Sequence, residues 1–100
     1  MTTYEELAQK YPRETAQERL ILLASEAICR AMQANKVSKA ELARRLGTTR
    51  AAVTRNLSGS QNMTLRTFAD MATVLGKEVR LTLVNKKIVG KEAVTKAEAA

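Results

Sequence analysis

Residues 38–59, SKAELARRLGTTRAAVTRNLSG, constrain the fold more than any other stretch of this 100-residue chain. Ser38 followed three residues later by Glu41 has the form of a helix start. Leu42, Ala43 and Leu46 then share one face, and Gly47 ends the run because glycine adopts positive φ without a Cβ penalty. Thr49 is a good N-cap for a second helix ending near Leu57, before Ser58 and Gly59. At 100° per residue, Leu57 lies about 40° from Val53 on that helix. Ala51, Thr54, Arg55 and Ser58 fall on the opposite face, with Arg50 on its flank. Two short helices joined by a glycine turn thus aim a small, hydrogen-bonding, cationic surface away from the core. This is the pattern of a helix-turn-helix.

Charge sharpens the reading. The chain holds 17 lysines and arginines against 10 acids, a net charge of +7. Residues 1–37 contain five bases and five acids and sum to zero. Residues 38–76 contain six bases (Lys39, Arg44, Arg45, Arg50, Arg55, Arg66) and two acids (Glu41, Asp70), a net +4. Residues 77–100 add six bases and three glutamates, a net +3. A positive field placed over the quoted stretch points to a polyanion, and the Thr/Arg face to duplex DNA. Arginine can bond a guanine edge in the major groove, and threonine can offer a hydroxyl or methyl to a base. Lys39 and the helix start capped by Ser38 suit a backbone phosphate.

There is no histidine and one cysteine. This composition argues against His-based catalysis, the usual metal clusters and an intramolecular disulfide. The expectation is a non-enzyme with no cofactor and no bound metal. No apolar run approaches a membrane span and the first residues are too polar for a signal peptide, so a cytoplasmic protein with no membrane partner is expected.

The rest of the chain reads as further helices. Thr3 with Glu6 forms a capping box for a short helix over about residues 4–10, before Pro12. Thr15 with Glu18 forms a second box, opening a longer helix to about Asn35 with a stripe of Leu20, Leu23, Ala24, Ala27, Ile28 and Ala31. Thr64 caps another, with Leu65, Phe68, Ala69, Ala72 and Leu75 as its stripe. Leu22 and Cys29 lie opposite the main stripe of the long helix, and Met71 and Val74 lie off that of the last one. The amino-terminal helix is expected to cover them, a second chain being the alternative. Arg44 and Arg45 read as a solvated face beside DNA. After Gly76 the period becomes two, with Val79, Leu81 and Leu83 alternating with polar residues, which is a strand pattern.

The motif LARRLGTTRAAVTRNLSG resembles the DNA-binding core of the XRE family, of the lambda-repressor and Cro type. Ala43, Gly47, Val53 and Gly59 are the matching landmarks. NMTLRTFADMATVLGKEVRLTLV resembles a branch with a strand after the last core helix, a branch similar to small phage-type repressors and to antitoxins of toxin–antitoxin operons. The resemblance covers about residues 20–84. It implies an all-α bundle of about five helices that binds duplex DNA sequence-specifically. By position it transfers base contacts to Thr49, Arg50, Ala51, Thr54 and Arg55, and phosphate contacts to Ser38, Lys39, Asn62, Thr64 and Arg66. Asn56 departs from the pattern, standing where the family usually has an apolar residue. It could bond a carbonyl or a phosphate.

The expected organisation is an amino-terminal extension (1–14), the DNA-binding domain (15–76), a dimerisation strand (77–84) and a basic, loosely ordered tail (85–100). A lone strand leaves its backbone groups unpaired. Residues 87–89 offer a weak return strand. The simpler solution is pairing with a second copy through Val79, Leu81 and Leu83, giving a homodimer that reads an inverted repeat as a transcriptional regulator, most simply a repressor. The alternative is an antitoxin that also binds a toxin protein.

Overall fold

The computed structural model describes residues 3–59 and 62–86. Five helices follow in order: α1 (Tyr4–Lys10), α2 (Pro12–Asn35), α3 (Lys39–Leu46), α4 (Arg50–Leu57) and α5 (Leu65–Val74). The fold is all-α, as the periodicity predicts. α3 packs on α4 and α5, α2 packs on α4 and α5, and α1 touches α2 alone among the helices.

The helix starts follow local chemistry, with one correction. Thr3 and Glu6 make the reciprocal capping box of α1, at 3.1 and 2.9 Å. Thr15, however, does not start α2. The helix begins one turn earlier because Pro12, which lacks an N–H and has φ fixed near helical values, occupies its first position. Tyr11 takes φ −130° and ψ 66°, a backbone excluded from the α region by the proline that follows it. Thr15 therefore lies inside the first turn, and its hydroxyl donates to the Leu7 carbonyl at 3.3 Å, tying α2 back to α1.

The core is small and gathered at one end. Ile28, Met32, Val37, Leu42, Ala43, Val53, Met71, Ala72 and Leu75 are buried, with Leu42 and Val53 fully so. α2 spans about 36 Å at 1.5 Å per residue, yet its buried residues begin only at Ser25. Leu20, Leu22 and Leu23, in its amino half, are exposed. The expected stripe of α2 is thus core only from Ile28 onward.

The stripe of α5 also differs from expectation. Leu65 and Ala69 are exposed, whereas Met71 is buried and Val74 half-buried in the bundle. The buried face is rotated towards α2 and α3, the two helices that α5 packs against. The amino-terminal helix covers neither Met71 nor Val74, since α1 lies on α2. Leu22 is exposed and Cys29 half-buried.

Two long-range bonds close the carboxyl end of α5. Asn35 Nδ2 donates to the Leu75 carbonyl at 2.8 Å, and Arg45 Nη1 donates to the Val74 carbonyl at 3.0 Å. Both reach helix-end carbonyls that have no partner within their own helix, so each removes an orphan acceptor.

The strand expected over residues 77–84 is not formed in the single chain. Among the described residues there is no strand, and 77–86 run without regular structure. The physical reason is the one that made the pattern notable: among the described residues the segment meets no second strand to share a ladder with. Val79 packs against the core, whereas Leu81, Leu83 and Val84 are 77%, 100% and 83% exposed. Residues 87–89, the candidate return strand, and most of the 85–100 tail lie outside the described residues.

Candidate nucleic-acid interface

The turn between α3 and α4 sets the geometry of the site. Gly47 takes φ 71° and ψ 34°. Its N–H donates to the Arg44 carbonyl at 3.2 Å, and the Thr48 N–H donates to the Ala43 carbonyl at 3.0 Å. This paired closure is a Schellman motif, and it requires the left-handed residue at Gly47. A Cβ there would meet nothing within 4 Å, so backbone conformation rather than space demands glycine. The Thr49 hydroxyl then accepts from the Ala52 N–H at 3.0 Å and starts α4 two residues later.

Val53 seats α4 against the core, with Ala52, Asn56 and Leu57 half-buried beside it. Arg50, Ala51, Thr54 and Arg55 are exposed on the other side, and so is Thr49 at the amino end. All five expected base-contacting residues are thus exposed on or at the start of α4. No acid occurs from residue 42 to residue 69, so nothing on this face repels a phosphate.

The expected phosphate-contacting residues Ser38, Lys39, Asn62, Thr64 and Arg66 are likewise exposed. Their hydroxyls also have structural work. Ser38 Oγ accepts from the Glu41 N–H at 3.1 Å, capping α3. Thr64 Oγ1 accepts from the Thr67 N–H at 3.1 Å and donates to Thr67 Oγ1 at 3.0 Å. The free amide groups of these helix starts, rather than the Thr64 hydroxyl, are what remain to face an anion.

Asn56 resolves in favour of the carbonyl: its Nδ2 donates to the Ala52 carbonyl of its own helix at 3.0 Å. The amide thus satisfies itself at the half-buried edge of α4, which explains how it stands at an apolar position.

Glu41 and Arg45 form the part of the site that the sequence reading missed. Glu41 takes Arg44 Nε at 2.9 Å and Arg45 Nε at 2.9 Å. The two guanidinium groups, Arg44 first, hold the Glu41 carboxyl down at about 2 from an ordinary 4.5. Arg44 is exposed, as expected, but Arg45 is not a freely solvated charge. It bridges Glu41 and the Val74 carbonyl, locking α3 to the end of α5. The i,i+4 spacing of Glu41 and Arg45 was the available signal for the ion pair. The reach to Val74 had none.

Among the described residues, no cluster of three or more His, Cys, Asp or Glu could hold a metal, and no helix is long and apolar enough to cross a membrane. No curated protein and no solved structure matches the chain. A family model described as helix-turn-helix matches residues 30–81, which takes in the carboxyl end of α2, all of α3, α4 and α5, and the start of the exposed segment. That is half of the chain and all of the face just described, so the protein belongs to the XRE-type helix-turn-helix family and carries its DNA-binding, transcription-regulating domain.

Proposed function

We propose that the protein is a transcriptional repressor that binds an inverted-repeat operator as a homodimer. The observation that carries this reading is the acid-free outer face of α4, with Arg50, Ala51, Thr54 and Arg55 exposed and Val53 anchored beneath. Arg50 and Arg55 bond base edges, Thr49, Ala51 and Thr54 pack or bond beside them, and Ser38, Lys39, Asn62, Thr64 and Arg66 hold the flanking phosphates. One such helix reads too few base pairs for useful discrimination, and two of them about 34 Å apart read an inverted repeat.

The second copy is brought in by residues 77–84. Leu81 and Leu83 are exposed in a segment with period-two alternation and no ladder partner among the described residues. Antiparallel pairing with the same segment of another copy, with Val79 against the core, supplies that ladder and a two-fold axis. A Leu81→Pro variant is expected to sediment as a monomer; an unchanged dimer would refute this pairing.

Base reading and phosphate holding separate by mutation. Arg55→Ala should relax base choice at one position of each half-site, a loss of about 1–3 kcal/mol confined to the matched operator. Lys39→Ala should weaken binding to matched and mismatched duplexes alike. Equal losses on both duplexes for both variants would count against the assignment. Affinity should also fall by on the order of 10³-fold or more between 50 and 200 mM salt.

An antitoxin reading, in which the same domain also holds a toxin protein, draws support from apolar surface that DNA does not need, on α1 and the amino half of α2. Stoichiometric copurification of a second, small polypeptide would favour it.

A further inference from the structure

α1 and the amino half of α2 carry a face that the DNA-binding reading leaves unused. Tyr4, Leu7 and Tyr11 on the α1 side and Leu22 and Leu23 on α2 line one open groove, which ends at Gly59, past the carboxyl end of α4. These five side chains are each between 42% and 58% exposed. α1 has no buried residue and rests on α2 alone, so among the described residues nothing covers the groove. The outward residues of α4, Arg50, Ala51, Thr54 and Arg55, do not line it.

The sign of the charge reverses at this groove. The chain as a whole is at +7, and residues 1–37 hold five acids and five bases. Three of those acids, Glu14, Glu18 and Glu26, line the groove against one of the bases, Arg19. Glu14, Glu18, Leu22 and Glu26 stand four residues apart and form one ridge along α2, about 18 Å from end to end. Glu14 and Glu18 are exposed and make no ion pair among the described residues. Glu26 meets Arg30 at 3.8 Å, an exposed pair that contributes little.

We infer that this groove binds a basic amphipathic helix of a different protein. The partner lays its apolar stripe on the five exposed side chains and sets lysines or arginines against the glutamate ridge. Charge selects this occupant. A nucleic acid or an anionic membrane would meet three carboxylates. A second copy would bring one acidic ridge against another, with a single arginine per copy to answer it. The helical form follows from the spacing: side chains four apart on a helix repeat at the interval of the glutamates, and a groove between two packed helices seats a third. The two tyrosines suit the contact, since each offers a large apolar ring with a polar tip. The inference names the chemistry of the partner for the surface on which the antitoxin reading rests, and it depends neither on the dimer nor on base reading by α4.

The test is calorimetric titration of the full chain with two synthetic helical peptides of about 14 residues, long enough to span the ridge. One carries a leucine stripe flanked by lysines, and its twin has glutamate in place of every lysine. At near-physiological salt the lysine peptide should bind at least about tenfold more tightly than its twin. Non-specific attraction to a chain at +7 would favour the twin, so this preference reports the groove. Glu14→Lys combined with Glu18→Lys should invert the preference, and the gained affinity for the glutamate peptide shows that the variant is folded. Leu22→Ser, which leaves the charge unchanged, should weaken the lysine peptide about tenfold. If neither peptide binds, if both bind alike, or if Leu22→Ser changes nothing, the inference is overturned. A small polypeptide that copurifies equally with the wild type and with the doubly reversed variant would overturn it too, while the antitoxin reading stands.

Discussion

The two halves of α2 behave as if they belonged to different proteins. From Ser25 onward the helix meets α4 and α5, and Ile28 and Met32 are buried with Leu42, Val53 and Met71. Before Ser25 it packs on α1 and comes near Gly59, and Leu20, Leu22 and Leu23 are exposed although they are as apolar as the residues that follow. The difference teaches that burial is decided by what the turns deliver, not by the side chains themselves. The turn at Gly47 returns α4 to pack on α2, whereas the amino half of α2 is covered by α1, which buries no residue of its own.

The largest expected effect breaks the comparison at its core. Leu42→Ala should cost about 3–4 kcal/mol in denaturant unfolding, since a fully buried leucine loses its transfer energy and leaves a cavity. Leu20→Ala, at 65% exposure, should cost less than about 0.5 kcal/mol in the same assay. Similar losses at both sites would mean that the amino half is packed as tightly as the rest.

Next in size is the turn itself. Gly47→Ala should cost about 1–2 kcal/mol, because an L-residue is strained at φ 71° even with open space around its Cβ. Chemical denaturation measures it, and loss of DNA binding beyond the loss of folded protein would show that the turn also sets the angle of α4.

Glu41 gives a pH-dependent version of the same test. Its carboxyl is held at about 2 in the folded chain against an ordinary 4.5. A depressed carboxylate contributes stability in full above its unfolded value, and that contribution disappears as pH falls through the folded one. The wild type should therefore lose stability between about pH 4.5 and pH 2, and Glu41→Gln should flatten that part of the profile. An identical acid limb in the variant would place the loss elsewhere. The smallest effect is a gain: Lys36, which ends α2 at φ 55°, should stabilise the chain by roughly 0.5–1 kcal/mol when replaced by glycine.

What the sequence made legible was local. N-caps at Thr3, Ser38, Thr49 and Thr64 and the stop at Gly47 are short-range chemistry, so the residues alone place them. The outward face of α4 followed from a single anchor, Val53. What escaped depended on distant partners. Met71 is buried because α2 and α3 converge on that side of α5, and Arg45, though exposed, is tied to the Val74 carbonyl because that group lies within reach. Thr15 looked like a helix start because its box is genuine in form, but Pro12 three residues earlier had already fixed the backbone. The segment 77–84 shows the same limit from the other side. Its alternation is a property of the residues, whereas a strand is a property of a pair.

The most direct test of the central claim is selection of bound duplexes from a random DNA library at near-physiological salt. A dimer that reads DNA through α4 predicts an enriched inverted repeat with half-sites about one helical turn apart. An absence of enrichment, with binding that disappears as salt rises, would contradict it and reduce the basic face to a non-specific electrostatic surface.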